Sequence, residues 1–139
     1  MSVGHVKGAA SMIDHTGITV SHFQRSKSFY ARALSPIGYG LLLEFSAATT
    51  GSSDVAGFGI PPKPEFWIAS GSPNVPPIHV AFRVESRGLV DAFYEAAIAA
   101  GGRDNGPPGI RAHYHADYYG AFVLDPDGHN VEAVCHAPA

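Results

Sequence analysis

A single cysteine, Cys135, stands among 139 residues, so no disulfide can form within the chain and a reducing compartment is expected. Charge is sparse too: Asp, Glu, Lys and Arg make up 15% of the residues, and the nine Lys and Arg are scattered within a formal net charge of −3. No basic stripe exists to neutralise a phosphate backbone, which argues against nucleic acid as a partner. No apolar run approaches the ~20 residues of a membrane-spanning helix, and the opening MSVGHVKGAASM lacks the apolar core of a secretory signal. These absences point to a cytoplasmic protein with no membrane partner.

Hydrophobic residues make up 45% of the chain, enough for one domain that buries roughly two thirds of its unfolded surface. Patterning begins at Met12. Residues 1–11 are therefore expected to be an N-terminal extension and the domain to span 12–136.

The chain repeats itself. A shift of 64 residues places His15 on His79, Val20 on Val84, Phe29 and Tyr30 on Phe93 and Tyr94, Ala33 on Ala97, and Gly38 on Gly102. Each half, 12–72 and 76–136, reads as a strand, a helix and three further strands, an α+β plan of two βαβββ modules. The first strand, Ile13 to Val20, runs into a helix with Ser21 and Gln24 at capping-box spacing, stopped by Pro36 and Gly38. In the second half Ser86 caps a helix whose apolar face carries Leu89, Val90, Phe93 and Ala97. The remaining strands are expected at YGLLLEF, VAGFGI and EFWIAS, and at GIRAHYH, YYGAFVL and NVEAVCH.

A period of two in the opening strands puts Ile18 and Val20, and Phe82 and Val84, towards the helices. His15, Thr19, His79 and Arg83 fall on the other face. One histidine in a strand is commonly structural, but two related by a repeat, with their rings directed into one cleft, suggest a site. Glu132, flanked by Val131, Ala133 and Val134, is the third element, because a carboxylate buried there needs a partner. That partner is either a metal ion or an arginine, Arg83 or Arg111. Two imidazoles and a carboxylate would leave open positions on a metal for substrate oxygens.

His15 in DHTGITV, His79 in IHVAF, the paired modules and the closing DPDGHNVEAV together resemble the vicinal oxygen chelate superfamily. It includes glyoxalase I, extradiol dioxygenases, and bleomycin and fosfomycin resistance proteins. The resemblance implies an incomplete barrel-like mixed sheet around a metal cleft. It also implies one divalent ion (Fe, Ni, Zn, Co or Mn) held by His15, His79 and Glu132 on the first, fifth and eighth strands, a small-molecule substrate and a homodimer. Glu65 in KPEFWIAS is the candidate for the fourth, carboxylate ligand of glyoxalase I, three residues from Ile68, where the shift would place Glu132. Without it the ligand set is that of an extradiol dioxygenase, whose signature HADYYGAFVLDPDGHNVE approximates, departing at Ala121 and Phe122. The activity implied is that of a lyase or isomerase, or of a dioxygenase. A fosfomycin-type transferase and a non-catalytic drug-binding protein of bleomycin-resistance type stay open.

Around these ligands, His115 and Tyr119 are candidate acid-base groups, and Arg111 could hold a substrate carboxylate. Tyr118 and Trp67 are candidate substrate contacts. His113 and His115 would share a strand face if their segment is extended, and otherwise they belong to an aromatic strand end. Phe66 and Trp67 either wall a pocket or fill the core. His22, at a helix start, and His129, in a turn, suggest no site.

Overall fold

The computed structural model describes residues 12–139, and the expected extension 1–11 lies outside the described residues. The first half comprises β1 (Thr16–Val20), α1 (Phe23–Ala33), β2 (Gly40–Phe45), a short α2 (Ala47–Thr50), β3 (Val55–Ile60) and β4 (Lys63–Ser70). The second comprises β5 (His79–Arg83), α3 (Arg87–Ala99), β6 (Arg103–Asp104), β7 (Gly109–Ile110), β8 (Tyr119–Leu124) and β9 (Asn130–Cys135).

Two mixed sheets result, and they do not close into a barrel. The first runs β1-β4-β3-β2; the second runs β5-β9-β8-β6, with β7 beside β8. In each half the opening strand lies at a sheet edge and pairs in parallel with the closing strand, β1 with β4 and β5 with β9. Ile18, Val20, Phe82 and Val84 are buried as the alternation requires. They join Phe29, Tyr30, Phe58, Phe66, Val90 and Phe93 in one core under both helices, and the Phe66 and Phe82 rings meet edge to face at 5.5 Å across the two halves. Among the described residues no helix is long and apolar enough to cross a membrane.

Three local expectations are corrected. His22, not Ser21, occupies the α1 N-cap and makes no side-chain cap bond; the Ser21 hydroxyl instead donates to Asp127 of the other half. In α3 the Ser86 Oγ does accept from the Leu89 N–H, at 3.3 Å. GIRAHYH contains only the two-residue β7: the Arg111 N–H donates to the Tyr118 carbonyl at 2.7 Å, folding 111–118 into successive turns. His113 and His115 therefore share no strand face, and with β6 and β7 both present Glu132 lies on the ninth strand.

His129 does more than complete a turn. It is 1% exposed; its Nδ1 accepts from the Ile78 N–H at 2.9 Å, while its Nε2 donates to the Thr19 carbonyl at 3.0 Å. Since a backbone N–H can only donate and a carbonyl only accept, the ring is the neutral Nε2–H tautomer. It ties the end of β1 to the start of β5.

Candidate functional site

On the second sheet, the strand register sets Ala81 opposite Glu132 and His79 opposite Asn130, so His79 and Glu132 share the face turned away from α3. Glu132 is 1% exposed, and its Oε1 lies 2.8 Å from the His79 Nε2. Its Oε2 accepts from the Tyr118 hydroxyl. Burial and the Glu132 carboxylate raise the Tyr118 phenol above its ordinary value, so at neutral pH it is a proton donor. Neither arginine considered at the sequence level pairs with Glu132. Arg111 donates to the Pro107 carbonyl at 2.7 Å and lies over the Phe122 ring.

The first half treats the matching face differently. His15 precedes β1 and is exposed, its Nδ1 2.6 Å from Asp14 Oδ1, with Lys63 Nζ 3.4 Å from the same carboxylate. Hydrogen bonding to His15, then to Lys63, holds the Asp14 carboxyl below its usual range. Register pairs Gly17 with Trp67 as it pairs Ala81 with Glu132, so Trp67 fills the place that the carboxylate fills in the second half. Glu65 stands two residues earlier on the same face, where its Oε1 accepts from the Tyr39 hydroxyl at 2.5 Å. Burial, then Glu65, raises the Tyr39 phenol.

Strand alternation separates Phe66, buried in the core, from Trp67 on the opposite face. The indole lies against Gly57: a Cβ there would fall 2.9 Å from three of its ring carbons.

A cavity of about 490 Å³ is lined by His15, Glu65 and His79 together with Tyr39, Phe66 and Phe82. A second, of about 750 Å³, shares His15 and extends over Trp67, Val55 and Pro64. His15, Glu65 and His79 line one cavity with donor atoms that a borderline divalent ion accepts, and the buried Glu132 carboxylate touching the His79 imidazole adds another. Among the described residues, no three His, Cys, Asp or Glu side chains already lie close enough to hold one. Each donor faces its own neighbour: His15 faces Asp14, Glu65 faces Tyr39, and His79 faces Glu132.

His115 and Tyr119 part company. The Tyr119 hydroxyl donates to Asp91 Oδ1 on α3 at 2.7 Å, and its ring lies under Arg87. Tyr118, one residue earlier, takes the opposite direction towards Glu132. His115 accepts from the Asp117 N–H through Nδ1 at 3.0 Å, and its Nε2 lies 2.8 Å from His136 Nδ1. Sequence reasoning missed Tyr39 and the bridging His129. No spacing marked the first, and turn residues like the second are usually solvated.

Comparison with known proteins agrees with this architecture. A glyoxalase/bleomycin resistance protein from Albidiferax ferrireducens T118 is 27% identical, with a TM-score of 0.72 over 91% of this chain and 100% of that one. A fosfomycin resistance protein, FosX, from Listeria monocytogenes, solved with Mn(II) and 1S,2S-dihydroxypropylphosphonic acid, is 20% identical, with a TM-score of 0.65 over 89% of this chain and 91% of that one. A glyoxalase I variant from Zea mays is 19% identical, with a TM-score of 0.66 over 91% of this chain and 45% of that one. No curated protein matches by sequence. The sequence model of one family matches residues 12–133, nearly all of the described chain, and the protein accordingly belongs to the Glyoxalase/Bleomycin resistance protein/Dioxygenase superfamily.

Proposed function

We propose that the protein is a metal-dependent enzyme that chelates two neighbouring oxygens of a small substrate on one divalent ion. His15, His79 and Glu132 are its ligands, and Glu65, which lines one cavity with His15 and His79, is the fourth. The observation that carries this reading is the buried Glu132 held 2.8 Å from the Nε2 of His79. When bound, the ion supplies Lewis acidity or, if it is iron, dioxygen activation. The chain's own residues do the rest. His79, half exposed beside Glu132, presents its ring to the cavity. Trp67, Val55 and Pro64 offer an apolar wall to the organic part of the substrate. His115, beside Tyr118, is the nearer candidate for proton transfer, since Tyr119 is committed to Asp91.

A homodimer fits the partly exposed Leu41, Leu43 and Phe45 along the edge strand β2, and a cytoplasmic location fits the unpaired buried thiol of Cys135. A second reading, non-catalytic binding of a planar ligand, is favoured by the Trp67 indole spread over Gly57.

The reaction class is tested by loading the protein with Fe(II) and following oxygen uptake over a panel of catechols, and by loading it with Ni(II) or Zn(II) and offering glutathione-linked substrates. Oxygen uptake that vanishes in Glu132→Ala supports the dioxygenase branch, and turnover of a glutathione-linked substrate supports the lyase or isomerase branch. Metal binding without turnover, combined with quenching of Trp67 fluorescence by aromatic compounds, would move the assignment to the binding protein.

A further inference from the structure

The two oxygens of Glu132 have different neighbours. Oε1 faces the His79 Nε2 at 2.8 Å, while Oε2 takes the hydroxyl of Tyr118. Tyr118 arrives on a strap, residues 111–118, whose base is closed by the bond from the Arg111 N–H to the Tyr118 carbonyl. Inside the strap, His115 Nδ1 holds the Asp117 N–H, and His115 Nε2 lies 2.8 Å from Nδ1 of His136 just beyond β9. The Tyr114 ring packs edge-on against Tyr118 with centroids 4.7 Å apart. Gly120 lies beside the contact between Tyr118 and Glu132, where a Cβ would lie 3.2 Å from the Tyr118 ring and 3.3 Å from Glu132 Oε2. A phenol brought to one carboxylate oxygen by this many contacts is placed, not incidental.

We propose that Tyr118 is a positioning residue that reserves Oε2 and leaves Glu132 a single oxygen, Oε1, for a divalent ion shared with His79. This rests on the metal-dependent reading above and deepens it. A carboxylate can bind an ion through one oxygen or both, and each second oxygen closes a coordination position. With two imidazoles, one oxygen of Glu65 and one oxygen of Glu132, about two positions of an octahedral ion stay open; a two-oxygen Glu132 leaves about one. A substrate that brings two oxygens requires the larger number.

The test loads the full chain with Mn(II) alone and measures water-proton relaxation, which scales with the number of waters on the bound ion. Tyr118→Phe is expected to bind Mn(II) at the wild-type ratio with its relaxation enhancement lowered by about half, because the freed Oε2 displaces one of about two waters. His136→Ala, which loosens the strap without touching the carboxylate, is expected to show a smaller fall in the same direction. Thermal melting of the metal-free variants separates this from a loss of fold. If wild type binds Mn(II) and Tyr118→Phe shows unchanged enhancement per bound ion, the proposal fails and the metal reading stands. If wild type binds no Mn(II), both fall.

Discussion

The two halves of the chain share a plan but use the same sheet face for different purposes. In the second half the face holds a buried carboxylate, an imidazole against one of its oxygens and a phenol against the other. In the first half the corresponding places hold Trp67 on a glycine bed and a histidine out in solvent with Asp14 and Lys63. A repeat thus conserves backbone geometry while leaving each copy's chemistry free. The second half carries the buried carboxylate–imidazole pair, and the first carries the apolar surface of Trp67, Val55 and Pro64. His15 and Glu65 reach the shared cavity from the other side.

Deleting a candidate donor from each half in turn probes this difference most directly. Glu132→Ala should weaken divalent-ion binding by more than about 100-fold in competition with a chromophoric chelator. His15→Ala should also weaken it. Full affinity in that variant would assign the ion to the second half alone. Next in size is the tie between halves: His129→Ala leaves the Ile78 N–H and the Thr19 carbonyl without their partner and opens a cavity, costing about 2–4 kcal/mol by urea denaturation. Gly57→Ala drives a methyl group into the indole of Trp67, the only tryptophan, at about 1–3 kcal/mol with a shifted fluorescence maximum. An unshifted spectrum would mean that the ring does not rest on Gly57.

The smallest effect concerns pH. Tyr30 is buried and donates to Asp125 Oδ2 at 2.6 Å, and burial, then Asp125, raises its phenol above the ordinary 10.0. A raised folded-state value means that the neutral form is favoured on folding, so this stabilisation is complete below pH 10 and is lost as pH rises through the folded value. Tyr30→Phe should cost about 1–2 kcal/mol at neutral pH and flatten the loss of stability in alkali. An alkaline slope identical to wild type would contradict this assignment.

Much of this organisation was legible in the sequence. Alternation in the opening strands placed Ile18, Val20, Phe82 and Val84 in the core, and Ser86 marked a helix start correctly. What was hidden depends on contacts between distant segments. The shift of 64 that relates His15 to His79 becomes 65 between Trp67 and Glu132, because the intervening segments differ by one residue; that slip concealed Trp67 as the counterpart of Glu132. RAHYHADY has no decisive period, and His115 takes a backbone N–H that a strand would have given to its ladder. The opposite directions of Tyr118 and Tyr119 follow from where β8 begins, which no residue pattern announces. His129 looked like a turn residue because its burial is created by the other half of the molecule.

Under the proposed function, donors from both halves hold one divalent ion per chain. Elemental analysis of untagged, reconstituted protein tests it most directly, with Glu132→Ala and His15→Ala as controls against adventitious binding by the eight histidines. About one equivalent of metal is expected in wild type, with a clear loss in both variants. Stoichiometric metal retained by Glu132→Ala, or none held by wild type, would contradict it.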